Sequence, residues 1–449
     1  MKREIELHIK KRLDKSNKAL LVSGPGKVGK TYSIKRVLEE NCVSYFEINL
    51  LERPEILSSL KNSNNINNFV DKFKLFSPTK LKEGKSVIFL DEIQVFPELM
   101  TKIKFLVDEG SFKYILSGSL LGVELQGIKS VPVGYMEELK MYPMNFLEFC
   151  DALGIQQTKI NHIKECFNNR KHVDDVIHQE FITAFYYYLI SGGMPNVVSN
   201  FIKNKNLVEV SDTQKSLLEF YKKDFTQYEQ IDKRLKIISI YENIPSQLNK
   251  QNNKFVFTLL NKQLKFDRYE NSFLWLKDAG VALPVYIVAD LRIPLISSKE
   301  KNTFKLFMSD VGLLTSTYPS ETQLKILEMN KENEINNGAL FENFVAQELV
   351  SNGLTPYYFK TKNIGEVDFL VEVNGEILPI EVKSGSDYKK HNALDNLIRT
   401  NKKQLAKPVV LSLNNVEVED EIDYIPIYMC SFIKNDKPKN IKIDFDIFK

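Results

Sequence analysis

The sequence of 449 residues lacks the features that mark membrane and secreted proteins. No apolar run approaches the ~18 residues that a membrane-spanning helix needs. The charged start, MKREIE, has none of the apolar character of a signal peptide. The four cysteines are scattered and form no CxxC pair, which argues against a disulfide framework and a zinc site. We therefore expect a cytoplasmic protein without a membrane partner.

An excess of charge of one sign is also missing. The 61 basic residues are nearly balanced by 58 acidic ones, so the formal net charge is only +3. Any contact with nucleic acid must then come from a local basic patch. The hydrophobic share of 43% and the charged share of 27% are typical of a globular protein with a real core, and the length predicts about three domains.

A glycine-rich loop follows the first buried-strand pattern. The apolar run ALLVS leads directly into GPGKVGKT, which fits the pattern GxxxxGK[ST], and helical apolar spacing follows. Gly24, Gly26 and Gly29 allow backbone N–H groups to turn toward phosphate oxygens. Lys30 neutralises the β- and γ-phosphates, and Thr31 places a hydroxyl on Mg²⁺. The alternative is a plain glycine-rich turn, but the flanking strand and helix favour a site for ATP and Mg²⁺.

Two later strand patterns end in polar residues. KSVIFL leads into Asp91 and Glu92, an acidic pair of Walker B type. We expect Asp91 to hold Mg²⁺ through water and Glu92 to orient or deprotonate the attacking water. An acidic turn after a core strand is the alternative. FKYIL leads into Ser117 and Ser119; either serine would sense the γ-phosphate, and an ordinary loop is an equally good interpretation.

The order of these three elements resembles that of the AAA-type P-loop ATPases. More narrowly, it resembles prokaryotic ATP-binding proteins that carry a C-terminal domain of unknown function. The motifs MYPMNFLEF, at 141–149, and GGMP, at 192–195, also belong to that pattern, which extends over essentially the whole chain. The resemblance implies an α/β fold with a parallel sheet, ATP hydrolysis and dependence on Mg²⁺.

The sequence departs from this family in its arginines. Many relatives carry Gly-Arg where this chain has Gly134 and Tyr135, and no arginine lies between Pro54 and Asn169. An arginine that acts on the γ-phosphate would therefore come from a flanking domain, another subunit or a protein partner. We expect slow basal hydrolysis, as in a switch; the alternative is that Lys30 and Mg²⁺ suffice.

The middle of the chain predicts helices and then a hairpin. Residues 156–219 have the pattern of a helical lid, and 220–320 have short helices followed by two strands, the plan of a winged helix. The elements expected there are Leu235–Asn243, Ile244–Asn249, Tyr269–Asp278, Ala282–Val288 and Phe304–Met308. Five basic residues surround the expected turn and third helix: Lys250, Lys254, Lys262, Lys265 and Arg268. They are candidate contacts for DNA phosphates, with solvated surface and protein docking as alternatives.

The segment 338–449, after a linker at 321–337, contains carboxylates in a hairpin. Asn374-Gly375 is a strong signal for a two-residue turn, and the register that this turn fixes places Asp368 opposite Glu381. Facing carboxylates repel each other unless a cation joins them. A divalent cation would do so, with Lys383 beside it to position or activate water.

Together with Glu342 in the preceding helix pattern, this arrangement resembles the PD-(D/E)XK nuclease superfamily. All four positions of that pattern are present, as Glu342, Asp368, Glu381 and Lys383. The resemblance implies that the three carboxylates bind metal and that Lys383 is catalytic. The structural alternative is a charged surface hairpin in which Glu366 pairs with Lys383.

The sequence thus predicts an AAA-type ATPase domain at 1–155, followed by the lid, the winged helix, the linker and an α/β nuclease-like domain. The nucleotide state of the first domain would control the last, which would act on or bind nucleic acid. The alternative is a signalling ATPase whose last domain is a catalytically silent DNA- or protein-binding module. A motor that remodels proteins is less favoured, because no arginine flanks the third strand pattern.

Overall fold

The computed structural model describes residues 1–41, 44–63, 65–119, 134–227, 231–250, 254–256, 269–328, 337–401 and 405–436. Two sheets and the helices around them make up this part of the chain. None of its helices combines the length and the apolar character that crossing a membrane requires.

A five-stranded parallel sheet forms the N-terminal unit. The sequence predicts a parallel sheet there and three of its strands. Its strands are β1 (Ala19–Ser23), β2 (Tyr45–Asn49), β3 (Val87–Asp91), β4 (Lys113–Gly118) and β5 (Met136–Lys140), in the order β2-β3-β4-β1-β5. Every residue of β1 and β3 is buried, because helices cover both faces of such a sheet. The helices of this unit are α1 (Glu4–Lys15), α2 (Lys30–Glu40), α3 (Pro54–Lys61), α4 (Ile66–Phe76) and α5 (Glu98–Glu109).

The middle of the chain is helical. Its helices are α6 (Phe146–Ala152), α7 (Gln157–Asn169), α8 (Asp175–Ser191), α9 (Pro195–Asn204), α10 (Leu207–Gln227), α11 (Ile231–Leu248) and α12 (Glu270–Asp278). The predicted boundary between lid and winged helix, at 219/220, falls inside α10.

One predicted helix boundary in this region is wrong. The sequence predicts two short helices that meet at Asn243 and Ile244, but α11 continues through both and has Pro245 in its interior. Ile240, Ile244 and Leu248 are buried at helical spacing. Their continuous apolar face outweighs the backbone hydrogen bond that proline removes.

An eight-stranded mixed sheet follows. Its strands are β6 (Ala282–Val288), β7 (Lys299–Met308), β8 (Tyr357–Thr361), β9 (Gly365–Val373), β10 (Glu376–Val382), β11 (Val409–Ser412), β12 (Glu417–Val418) and β13 (Asp423–Pro426), in the order β12-β13-β11-β10-β9-β8-β6-β7. The accompanying helices are α13 (Val311–Thr315), α14 (Ser320–Leu327), α15 (Asn337–Ser351) and α16 (Asn392–Asn401). The predicted linker at 321–337 therefore begins inside α14, and residues 329–336 lie outside the described residues.

The predicted wing is part of this larger sheet. β6 and β7 form the expected antiparallel hairpin, but β6 also pairs in parallel with β8. The segments predicted as a winged helix and as a nuclease-like domain therefore share one sheet.

The hairpin register predicted around Asn374-Gly375 is confirmed. Both turn residues have positive φ, 52° at Asn374 and 85° at Gly375, as a two-residue type I′ turn requires. The pairs run from Val373 and Glu376 to Phe369 and Ile380. The ladder ends there, one step before Asp368 and Glu381.

Candidate nucleotide site and acidic cluster

The glycine-rich loop connects the end of β1 to the first turn of α2. Gly24 has φ of 144°, and a Cβ there would lie 2.1 Å from the carbonyl oxygen of Met141, so this position accepts only glycine. Gly29, with φ of 96°, precedes the first residue of α2. The loop thus directs a helix N-terminus toward its own cavity, which is the arrangement that binds phosphate groups.

Lys30 is turned back onto the loop. Its ammonium group donates hydrogen bonds of 2.9 Å to the carbonyl oxygens of Gly24 and Pro25. Burial lowers the pKa of Lys30 to about 8, although Glu92 and Asp91 oppose this shift. Triphosphate binding would place phosphate oxygens beside this buried charge.

Asp91 collects two of the predicted site residues. One carboxylate oxygen accepts a 2.8 Å hydrogen bond from the hydroxyl of Thr31, and the other accepts from the hydroxyl of Ser117. Ser117 reaches this position because β4 lies between β1 and β3. The hydroxyl and carboxylate oxygens beside Lys30 fit Mg²⁺, which prefers hard oxygen ligands.

Glu92 has an unusual backbone conformation, with φ of 56° in the left-handed region. Non-glycine residues held there are characteristic of functional sites. Its carboxylate accepts a hydrogen bond from the amide of Gln94, which also contacts the hydroxyl of Ser119 at 3.4 Å. Ser119 is therefore joined to Glu92 through Gln94. Sequence reasoning missed Gln94, since it belongs to no motif.

Arg3 connects the glycine-rich loop to Tyr142 and Glu148. Its guanidinium group contacts the carboxylate of Glu148 at 3.0 Å and donates to the carbonyl oxygens of Val28 at 2.9 Å and Tyr142 at 2.8 Å. Because its three nitrogens all have partners, Arg3 positions the loop and is not an arginine that reaches a γ-phosphate. Only its long-range contacts reveal this role.

Helix α10 contacts the glycine-rich loop through Tyr221 and Phe220. The hydroxyl of Tyr221 donates a 2.9 Å hydrogen bond to the carbonyl oxygen of Gly26, and the ammonium of Lys27 lies 5.3 Å from the ring centre of Phe220. Asp224, one turn further, is half-buried, and burial together with repulsion from Glu92 raises its pKa. A nucleotide bound at the loop would therefore lie against α10.

The second group of predicted site residues meets around a lysine from β7. The ammonium of Lys305 lies 3.0 Å from a carboxylate oxygen of Glu342, 3.0 Å from one of Glu366 and 3.7 Å from one of Asp368. We call these three carboxylates, Glu381 and Lys305 the acidic cluster. Lys305 is only 1% exposed, and sequence reasoning did not single it out.

The other side of the acidic cluster contains the predicted catalytic lysine. Lys383 contacts Glu381 at 2.8 Å, while Asp368 accepts a hydrogen bond from the backbone of Val382 at 2.9 Å. Burial, and then repulsion from Glu381, holds the pKa of Asp368 well above its ordinary value. The structure thus brings Glu342, Asp368, Glu381 and Lys383 together.

The alternative interpretation of the hairpin as charged surface is not supported. Glu366 contacts Lys305 and Lys360, whereas Lys383 contacts Glu381. The hairpin carboxylates face a cluster because α15 packs on β10 and the side chain of Lys305 extends from β7 to Glu366 and Asp368.

As arranged, these carboxylates do not fit a divalent cation. Within the described ranges, no group of three or more His, Cys, Asp or Glu side chains is arranged to hold a metal ion. The Lys305 ammonium lies among the oxygens that a cation would need. The metal-binding roles of Glu342, Asp368 and Glu381 stay predictions.

Comparison with family models divides the chain into three matches. Residues 16–150 match the model described as an AAA domain. The N-terminal sheet unit is an AAA domain. Residues 182–324 and 337–430 match two domains of unknown function, DUF8612 and DUF4143.

Solved structures with some similarity to this chain include ATPases. The Walker-type ATPase PABY2304 of Pyrococcus abyssi is 16% identical, with 70% of this chain and 95% of that chain covered and a TM-score of 0.44. Cdc6p from Pyrobaculum aerophilum is 10% identical, with 72% and 92% covered and a TM-score of 0.27. PCH-2 of C. elegans is 14% identical, with 39% and 49% covered and a TM-score of 0.23. A search of curated proteins found no match.

Helix α15 connects the AAA domain to the acidic cluster. The carboxylate of Glu348 accepts a 2.9 Å hydrogen bond from the backbone of Phe146, and a 2.6 Å bond from the hydroxyl of Ser431. Phe146 begins α6 and lies within the segment 16–150 that matches the AAA domain. Burial raises the pKa of Glu348 to about 7. Glu342 lies six residues earlier, about 9 Å along the same helix. One buried helix therefore contacts both the AAA domain and the acidic cluster.

The motif GGMP is a second connection to the AAA domain. Gly193 donates a 2.6 Å hydrogen bond to Asp310 and accepts one of 2.7 Å from the backbone of Met144. A Cβ on Gly193 would lie 2.0 Å from the Met144 carbonyl oxygen. Beside Asp310, the backbone of Val311 donates to Gln347 of α15 at 2.9 Å. Both motifs quoted for the family resemblance thus lie where the AAA domain, the helices and α15 meet.

The predicted nucleic-acid patch is described only in part. Lys250 and Lys254 are exposed, whereas Lys262, Lys265 and Arg268 lie outside the described residues. The role of this patch stays a prediction.

Proposed function

We propose that this protein is an ATP-dependent switch. The AAA domain binds MgATP through Lys30, Thr31 and Asp91 and hydrolyses it slowly with Glu92. The nucleotide state then controls a C-terminal nuclease-like domain that binds nucleic acid. The observation that carries this proposal is α15, which contacts the AAA domain at Glu348 and contributes Glu342 to the acidic cluster.

The geometry of the loop supports the first step. Triphosphate oxygens would replace the carbonyl oxygens of Gly24 and Pro25 as partners of Lys30. Thr31 and Asp91 would hold Mg²⁺, which neutralises charge on the phosphates when bound. Glu92, oriented by Gln94, would take a proton from the attacking water.

Contacts of α10 support the second step. Nucleotide at the loop would disturb the hydrogen bond between Gly26 and Tyr221. Two turns earlier on α10, the amide of Gln214 donates to the carbonyl oxygens of Ile190 and Ser191, at 2.7 and 3.1 Å. These residues end α8, directly before GGMP. Movement of α10 would therefore reach Asp310 and then α15.

For the C-terminal domain, we favour binding without cleavage. A nuclease of the resembling superfamily would need a metal ion at Glu342, Asp368 and Glu381, with Lys383 as catalytic lysine. The Lys305 ammonium lies among these carboxylates, which argues against metal-dependent cleavage. Any arginine that accelerates ATP hydrolysis would come from a flanking domain, a second copy or a protein partner, because Arg3 is already bound to the loop.

The first experiment tests the nucleotide site in the full chain. We expect ATP hydrolysis in the wild type, loss in Lys30→Ala and in Glu92→Gln, and normal activity in the control Lys85→Ala, an exposed lysine. Hydrolysis that persists in Lys30→Ala would contradict the assignment.

The second experiment tests the coupling. Affinity for labelled DNA and RNA is measured by fluorescence anisotropy with a non-hydrolysable ATP analogue and with ADP. We expect the two states to differ, and the difference to shrink in Glu348→Ala and, more mildly, in Ser431→Ala, while hydrolysis persists. Equal affinity in both states would refute the switch. Plasmid cleavage with Mg²⁺ or Mn²⁺ that is lost in Lys383→Ala would show a nuclease instead.

A further inference from the structure

We propose that Lys305 is the built-in cation of the acidic cluster. Its ammonium group takes the position that a divalent ion would need, so the native protein keeps this site free of metal. Removal of Lys305 would then create a site for a divalent cation. This inference concerns the C-terminal cluster alone and does not depend on control by the AAA domain.

Three carboxylates surround the ammonium group of Lys305, which has three N–H donors and no acceptor. Oxygens of Glu342 and Glu366 lie within hydrogen-bonding distance, each at 3.0 Å, and an oxygen of Asp368 forms a longer ion pair at 3.7 Å. The ring of Tyr358 covers the ammonium at 5.5 Å. Because Lys305 is only 1% exposed, water does not compete with these partners for its ammonium group.

The backbone holds Lys305 and Glu342 in place. Three residues after Lys305, the backbone of Met308 donates to and accepts from the buried side-chain amide of Asn343, at 2.8 and 3.1 Å. This pair of hydrogen bonds fixes β7 against α15. Lys305 and Glu342 are thus placed by neighbours on each element and not by a mobile surface contact.

Two other lysines also contact carboxylates of the acidic cluster. Lys383 contacts Glu381 at 2.8 Å and Lys360 contacts Glu366 at 2.7 Å. A divalent ion that entered the cluster would lie beside the buried ammonium of Lys305. The divalent ion and the ammonium group, neighbours shielded from water, would repel each other strongly. Metal and Lys305 therefore exclude each other.

The test measures Mn²⁺ binding by electron paramagnetic resonance of the free ion, without nucleotide, in four full-length proteins. They are the wild type, Asp368→Asn, Lys305→Met and the double variant with both changes. Asp91 is unchanged in all four, so any binding at the AAA domain is a common background. Methionine keeps the length of the lysine side chain and removes its charge.

We expect the wild type and Asp368→Asn to bind Mn²⁺ equally weakly. Lys305→Met should gain one site, at least about tenfold tighter than any in the wild type, and the double variant should lose it. In thermal unfolding, Mn²⁺ should raise the midpoint of Lys305→Met and leave that of the wild type unchanged.

Two results would overturn the proposal. One is a wild-type Mn²⁺ site that disappears in Asp368→Asn; the other is a folded Lys305→Met that binds no more Mn²⁺ than the wild type. If Lys305→Met does not fold, the comparison of wild type with Asp368→Asn can still overturn the proposal through the first of these results. Neither result depends on ATP hydrolysis, so failure here is distinguishable from failure of the proposed switch.

Discussion

The buried ammonium of Lys30 makes ATP binding depend on pH. With a pKa of about 8, Lys30 is about nine-tenths protonated at about pH 7 and about one-tenth protonated at about pH 9. Phosphate groups bind the protonated form and hold its pKa higher in the complex. Binding at the higher pH must therefore take up a proton. The dissociation constant of a non-hydrolysable MgATP analogue should rise about tenfold between these two pH values, which corresponds to about 1.4 kcal/mol.

The control for this prediction is Lys30→Arg. Arginine stays charged throughout this range, so the variant should bind more weakly at about pH 7 but show little change toward about pH 9. Titration of the analogue, followed by fluorescence or calorimetry, measures both proteins. An unchanged wild-type dissociation constant, or an equal rise in Lys30→Arg, would refute the role assigned to the Lys30 proton.

Three further predictions concern the helices around the AAA domain. The pKa of Glu348 is raised from an ordinary 4.5 to about 7. The free energy of unfolding should therefore fall by about 3 kcal/mol as the pH rises from about 4.5 to about 7. Glu348→Gln should remove most of this pH dependence, as measured by thermal unfolding at about pH 5 and about pH 8. Gly193→Ala should lower the unfolding temperature by several degrees, since its Cβ would clash with Met144, while Gly385→Ala, with no atom within 4 Å of its Cβ position, should not. Asp224→Asn removes a negative charge beside Lys30 and should tighten ATP-analogue binding a few-fold in the same titration; weaker binding would contradict the position assigned to α10.

Local patterns predicted the parts of the molecule that local forces determine. The glycine-rich loop, the acidic end of β3 and the Asn374-Gly375 hairpin each combine a strand with a turn that only certain residues allow. The glycine-rich loop and the acidic end of β3 meet because β1 and β3 belong to the same parallel sheet. The residues that sequence reasoning missed act across long stretches of chain. Lys305 reaches Glu342 over 37 residues and Arg3 reaches Glu148 over 145, and no periodic pattern records such contacts.

Pro245 and the wing show where tertiary packing overrides a local signal. Proline favours a helix end, yet the buried face of α11 carries the helix past it. The hairpin of β6 and β7 has the alternation of a free wing, but its β6 edge pairs with β8 across nearly seventy residues of chain. When a parallel partner lies so far along the chain, neither strand's sequence alone contains a pattern that indicates the pairing.

The shared sheet determines where this chain can be divided for expression. A fragment that starts near the predicted linker would contain β8 with one edge open, because its partner β6 stays on the other piece. Open edges of this kind pair with other chains and aggregate. The same cut would separate Lys305 from Glu342, Glu366 and Asp368, and of these three carboxylates only Glu366 would keep its described contact with Lys360. Fragments divided before α12 keep all eight strands and Lys305 together, and they are the ones to use when the C-terminal half is studied alone.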